Sequence, residues 1–107
     1  MKKTPKKPRA KTARQAMYLL RLYVSGSTLK SQRAIANLSV VCEEYLKGRY
    51  DLEVIDIRHQ ANLARDEQIV AVPTLIKRLP APLQRLVGDM SDLNKVLFGL
   101  DLRTREQ

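Results

Sequence analysis

The sequence predicts a single α/β domain with the element order β-α-β-(α)-β-β-α. Three observations carry this. The chain has 107 residues, 44% of them apolar and 29% charged, enough for one core and not two. One long helical pattern lies between two β-like runs, which is the sequence form of a βαβ unit with parallel strands and a right-handed crossover. Beyond it come short apolar runs separated by Pro and Gly, and then a second helical pattern.

The elements follow in order. Met17 to Val24 (M-Y-L-L-R-L-Y-V) is apolar on nearly both faces, as expected of a central strand buried on both sides. Ser25-Gly26-Ser27 breaks it. Residues 30–47 read as a helix, with Ile35, Leu38, Cys42, Tyr45 and Leu46 on one stripe, Thr28 or Ser31 as the N-cap and Gly48 at the C-terminal end. Tyr50 to Ile57 is the second strand. Asn62 to Glu67 is a short helix candidate. Val72-Pro73-Thr74 opens an extended piece to Leu79, Pro80-Ala81-Pro82 breaks it, and Leu83 to Val87 returns as an antiparallel partner, ended by Gly88-Asp89. Ser91 caps a last helix carrying Leu93, Val96, Leu97 and Leu100, in which Gly99 weakens the final turn by about 1 kcal/mol relative to Ala.

This order is that of thioredoxin-like folds. In a thioredoxin the reactive cysteines sit where the first strand gives way to the first helix. Here that stretch is Ser25-Gly26-Ser27-Thr28-Leu29-Lys30, without a thiol, and thiol–disulfide exchange has no attacking group at that position. The lone Cys42 has no partner for a CxxC pair and reads as a small core residue. Val72-Pro73-Thr74 stands where such folds carry a cis proline. His59 follows Arg58 in a polar stretch and reads as a solvated loop residue, so neither a metal site nor a cofactor is expected. Asp56, Asp66 and Glu67 are candidates for a carboxylate cluster, with solvated surface positions the simpler reading. No phosphate-binding glycine loop is present.

The formal charge of +9 is unevenly placed. Residues 1–14 carry seven cations (Lys2, Lys3, Lys6, Lys7, Arg9, Lys11 and Arg14) and no acid, while the remaining 13 basic residues face 11 acidic ones. The domain is therefore expected over 15–107, nearly neutral, behind a basic, disordered arm over 1–14. Such an arm is a solubilising extension or an electrostatic tether to phosphate or anionic lipid. A specific nucleic-acid target and a membrane are not expected. No apolar run of transmembrane length occurs, and a cytoplasmic location is expected.

Several motifs, in order and at consistent spacing, resemble one family. Leu20-Arg21-Leu22-Tyr23-Val24-Ser25-Gly26 is similar to the K-L-Y-V-A-G segment of KaiB proteins, with Arg33-Ala34 at the family's spacing. Val54-Ile55-Asp56 matches its V-I-D, Val72-Pro73-Thr74-Leu75 its T-P-T-L, and Leu79-Pro80-Ala81-Pro82 its L-P-P-P. Gly88-Asp89-Met90-Ser91 matches G-D-L-S, and Lys95 to Leu102 is close to K-V-L-I-G-L-D-L. Ala81 in place of the middle proline, Ala61 in place of a frequent proline, the end Arg103-Thr104-Arg105-Glu106 and the basic arm mark a divergent or non-cyanobacterial member.

The resemblance implies a non-enzymatic adaptor that docks on the N-terminal ring of KaiC, a hexameric ATPase and autokinase, and modulates its phosphorylation in daily or stress-related timing. KaiA, or a KaiB-related sensor kinase acting as competitor, is the further partner it implies. It also implies two folds. One is the thioredoxin-like binding form. The other is a resting form, a homo-oligomer (dimer or tetramer), in which the C-terminal half is packed differently. Arg33, and less securely Lys30, match the KaiC-facing side. Tyr18 matches a tyrosine linked to self-association, with a buried strand tyrosine the equal alternative. Pro73, Pro80, Pro82, Gly88, Asp89, Gly99 and Asp101 are the backbone positions through which the second half would exchange packings. The competing readings are a thioredoxin-like redox or glutathione-binding enzyme, and the same fold serving another partner.

Overall fold

In a computed structural model, which describes residues 17–102, four strands and three helices follow the expected order. They are β1 (Tyr18–Val24), α1 (Leu29–Tyr45), β2 (Tyr50–Asp56), α2 (Ala61–Asp66), β3 (Thr74–Leu79), β4 (Gln84–Val87) and α3 (Leu93–Gly99). The sheet order is β2-β1-β3-β4. β1 runs parallel to β2, from Tyr18 opposite Tyr50 to Val24 opposite Asp56. β1 and β3 are antiparallel, as are β3 and β4. A strand with a neighbour on each side and helices on both faces has no wet side, and this is why β1 lacks alternation.

The two faces bury different clusters. On one, Leu20, Leu22 and Val24 of β1 and Leu75 of β3 meet Ala34, Leu38, Val41, Cys42 and Leu46 from α1 and its end, and Val96, Leu97 and Leu100 from α3 and its end. On the other, Tyr23, Ile55 and Ile76 meet Ala64 of the short α2. Each fully buried aliphatic side chain contributes about 1.5–3 kcal/mol. The larger cluster is therefore the main driving force, and α2 is held by a small one.

Local chemistry sets the ends of the helices. The Thr28 side chain accepts from the Ser31 backbone N–H and caps α1. The cap of α3 is Asp92, which accepts from the Lys95 N–H. Ser91, the residue expected from the sequence, instead donates its own N–H to the Asp89 carboxylate. The buried stripe of α1 includes Ser31, Ala34 and Val41, with Tyr45 at its exposed rim, and Leu93 at the start of α3 is exposed too. The small side chains at 31 and 34 let the first turns of α1 lie close to the sheet. The Val72–Pro73, Leu79–Pro80 and Ala81–Pro82 peptide bonds are cis.

Two polar groups inside the fold have partners that the sequence did not reveal. Lys77 of β3 is 1% exposed. Its ammonium donates to the Pro80 carbonyl at 2.6 Å, the Pro82 carbonyl at 2.8 Å and the Asp101 carboxylate at 2.8 Å. A buried charge is tolerated when its donors are filled, and here they are. Glu67, just after α2, accepts from the Tyr23 hydroxyl, from Arg21 at 3.1 Å and from Arg78 at 2.8 Å. Arg85 adds a 2.7 Å bond to its backbone carbonyl. Glu67 thus pins the end of α2 to three strands.

Candidate functional site

β1 ends and α1 begins at a turn built by side chains. The Ser25 N–H donates to Ser31 Oγ at 3.1 Å, and Gly26 sits at φ +58°. The Arg58 guanidinium lies over Gly26, where an added Cβ would meet its Cζ at 2.5 Å. Glycine meets no strain in the left-handed conformation, and an added side chain would also push the Arg58 guanidinium aside. Arg58 is held in turn by Asp56, through Nε at 3.3 Å and Nη2 at 3.1 Å. The side-chain and backbone bonds from Arg58 keep the Asp56 carboxyl well below the usual carboxylate range. The buried Thr74, which follows the cis Val72–Pro73 bond, donates its hydroxyl to the Ala71 carbonyl.

This is the corner where a thioredoxin holds its thiols. Cys42 lies elsewhere, fully buried in α1. Burial first, and the nearby Glu43 charge second, push its thiol up to about 11, so the nucleophilic thiolate is scarce at neutral pH. His59 is a surface residue, with Nε2 3.9 Å from the Asp56 carboxylate. Asp56 and Glu67, two of the three candidates for a carboxylate cluster, are paired with different arginines. Glu67 joins Tyr23 and two arginines instead. Among the described residues no group of three or more His, Cys, Asp or Glu is placed to hold a metal ion.

Lys30 and Arg33 are placed on the first turns of α1, where Lys30 is exposed. The loop between β4 and α3 reaches the same surface. Asn37 of α1 donates through Nδ2 to the Asp89 carbonyl at 2.9 Å. Bonds from Ser91 depress the Asp89 carboxyl, and the charges of Arg33 and Lys30 lower it further. Beside this loop, a cleft of about 220 Å³ opens between the end of β4 and the start of α3, lined by Leu86, Asp89, Ser91 and Lys95 among others. Lys30, Arg33 and Lys95, the carboxylates of Asp89 and Asp92, and a shallow cleft thus share one end of the molecule. Such a surface suits recognition of another protein, because it offers charge and shape.

The remaining sequence-selected residues are tied into this packing. Tyr18 is buried and donates its hydroxyl to the Leu100 carbonyl at 2.7 Å, with the Arg49 guanidinium 5.7 Å from its ring centroid. The Pro73 carbonyl accepts from the Gly88 N–H at 2.9 Å. Pro80, Pro82 and Asp101 meet at Lys77. A Cβ on Gly99 would lie 2.7 Å from the Leu86 methyls, so α3 rests directly on β4 there.

The KaiB domain model matches residues 21–102. The circadian clock protein KaiB3 of Synechocystis sp. is 51% identical over 84 residues, covering 78% of this chain and 82% of that protein. The chain belongs to the KaiB family. The circadian clock oscillator protein KaiB of Prochlorococcus marinus (strain MIT 9515) is 49% identical over 90 residues, covering 84% of this KaiB-family chain and 83% of that one. Among solved structures, the N-terminal domain of Synechococcus elongatus SasA superposes with a TM-score of 0.67 at 23% identity, covering 95% of this chain and 97% of that one. Mitochondrial thioredoxin 3 of Saccharomyces cerevisiae gives 0.63 at 15% identity, covering 79% and 80%. The fold of this KaiB-family chain is thus the mixed α/β, thioredoxin-like one, as its element order predicted.

Proposed function

We propose that this protein is a non-enzymatic adaptor of the cytoplasm that docks on a KaiC-type hexameric ATPase and modulates its phosphorylation state. Lys30 and Arg33 at the head of α1 supply the contact, and the Asp89 loop shapes it. The observation that carries this reading is that the strand-to-helix corner, emptied of thiols, is flanked by a cationic helix start and a loop fastened to it through Asn37. The corner is built for contact in a chain whose relatives are clock proteins. The likeness of fold to the SasA domain supports a sensor kinase of that shape as competitor for the same surface. KaiA is a further partner by family resemblance.

The same proposal includes a resting homo-oligomer in which the second half is packed differently. Lys77 with Asp101, Tyr18 with Leu100 and Gly99 against Leu86 hold the second half in the present packing, and the proposed change of packing would break them. The test is to mix the protein with the KaiC homologue of the same organism and ATP, and to follow the complex by size exclusion from minutes to a day. A slowly forming complex supports docking after a change of fold, whereas a fast one keeps docking and removes the barrier. If no complex forms with KaiC in either phosphorylation state, the proposal is wrong.

A further inference from the structure

The outward face of α1 carries apolar residues that the fold leaves uncovered. Leu29 is 61% exposed and Val40 60%, and Ala36 between them is exposed as well. At 3.6 residues per turn these three fall on one line, opposite the buried Leu38. Arg33 and Glu44, both exposed, flank that line on the same side. α1 has four charged residues in all, with Lys30 and Arg33 in its first two turns and Glu43 and Glu44 in its last.

This order of charges is the reverse of what a single helix favours. The N-terminal end of a helix dipole prefers carboxylates and the C-terminal end cations, yet α1 has no acid in its first turn and no base in its last. Glu43 has a partner, the Tyr50 hydroxyl at 2.7 Å. Among the described residues neither Arg33 nor Glu44 is held in an ion pair of its own chain. A second α1 laid antiparallel meets every one of these conditions. The dipoles oppose, and the cationic end of each helix lies beside the acidic end of the other. A two-fold axis across the helices keeps each flank on its own side, so Arg33 meets Glu44 of the second copy. The register that does this also sets Ala36 beside Val40 of the second copy, and the small Ala36 lets the two helices approach closely.

We infer that α1 is a self-association surface of the present fold, on which a second copy of this chain packs antiparallel through Ala36 and Val40 and exchanges two Arg33–Glu44 pairs. The contact is isologous, the same patch serving both copies, and it closes at two. A single helix pair buries less than the roughly 1,200 Å² of a stable interface, so the dimer is weak and forms and parts with concentration. It is distinct from the resting oligomer proposed above, because α1 belongs to the first half of the chain and no change of packing is needed. The pairing also occupies Arg33, so dimer and docked adaptor exclude each other, a consequence that rests on the docking proposed above.

Sedimentation equilibrium of the full chain at low salt, from about 1 μM to about 1 mM, should show monomer passing into dimer. Arg33→Glu and Glu44→Arg should each weaken self-association about tenfold or more, with the circular dichroism spectrum unchanged. The two variants mixed in equal amounts should associate as well as the wild type, because in the mixed pair both contacts join opposite charges. Val40→Asp, which leaves Arg33 and Glu44 in place, should also stay monomeric. The inference is overturned if the wild type remains monomeric throughout the range, if Arg33→Glu self-associates like the wild type, which would put any oligomer on another surface, or if mixing restores nothing. With the KaiC homologue at high protein concentration, Val40→Asp should form the complex more readily than the wild type, and equal complex formation would show that dimer and docking use separate surfaces. If neither chain forms a complex the docking proposal fails, and the mixing experiment still decides the dimer by itself.

Discussion

Lys77 places a full charge between core residues of β3, and its surroundings fix what its removal does. Lys77→Ala leaves the Pro80 and Pro82 carbonyls and the Asp101 carboxylate without their common donor. The expected loss is about 3 kcal/mol, read as a fall in the urea midpoint at unchanged slope. A change below about 0.5 kcal/mol would show that water replaces the ammonium without penalty. Glu67 makes the complementary case with a carboxylate. Burial opposes its ionised form, but bonds from Tyr23 and Arg21 and the charge of Arg78 outweigh burial and lower it from the ordinary 4.5. A carboxyl that binds its proton less readily folded than unfolded contributes stability above the unfolded value, and that stability is lost as pH falls through the folded one. Urea midpoints taken from about pH 6 down to pH 3 should therefore drop more steeply for the wild type than for Glu67→Gln. Parallel curves would remove Glu67 from the acid response.

At the scale of the elements, α3 and β4 have little to hold them besides each other and the sheet. β4 has four residues and α3 has seven, each below the length at which an isolated element persists. Their direct contact is the Leu86 side chain lying on Gly99, where a Cβ has no room until Leu86 moves. Alanine is the better helix former, so two effects oppose at this position. In a Leu86→Ala background the crowding is relieved, because both the Cδ methyls and the Cγ are gone, and adding Gly99→Ala should then raise stability by about 0.5 kcal/mol. If the double variant is instead less stable than Leu86→Ala alone, the close approach involves more of the surroundings than the Leu86 side chain. α1 differs in both respects. It is capped by Thr28 and buries five of its seventeen residues, and that buried face fixes its position on the sheet.

At the scale of the whole molecule, Lys30, Arg33 and the Asp89 loop lie at one end, and the turn after Leu79 lies at the other. Lys30→Glu with Arg33→Glu should leave the thermal midpoint within about 2 °C, because neither side chain belongs to the buried clusters and surface changes cost little. It should weaken the complex with the KaiC homologue at least tenfold. The wild-type affinity should fall as salt rises, and the double variant should lose that dependence. If binding is unchanged, docking uses another surface of the fold.

Much of this was legible in the chain itself. The βαβ half announced its order through one two-faced apolar strand, one long amphipathic pattern and a second strand, because helix and strand periods differ and the crossover between parallel strands must be long. The motifs from Leu20 to Leu102 sufficed for the family. The stretch Ser25–Lys30 holds no thiol, so thiol–disulfide exchange has no attacking group at that corner. What only the tertiary structure decided are the pairings between distant residues. Lys77 lies in phase with Leu75, so a core-facing position was readable from the strand period, but its three oxygen partners come from a turn and a helix end 24 residues away. Glu67 read as one acid among several until Tyr23, Arg21 and Arg78 met it across the sheet. Residue type and spacing fix local conformation, because they act through neighbours in the chain. The partners of a buried polar group are chosen by which turns, helix ends and strands come together around it, and that arrangement is a property of the folded whole.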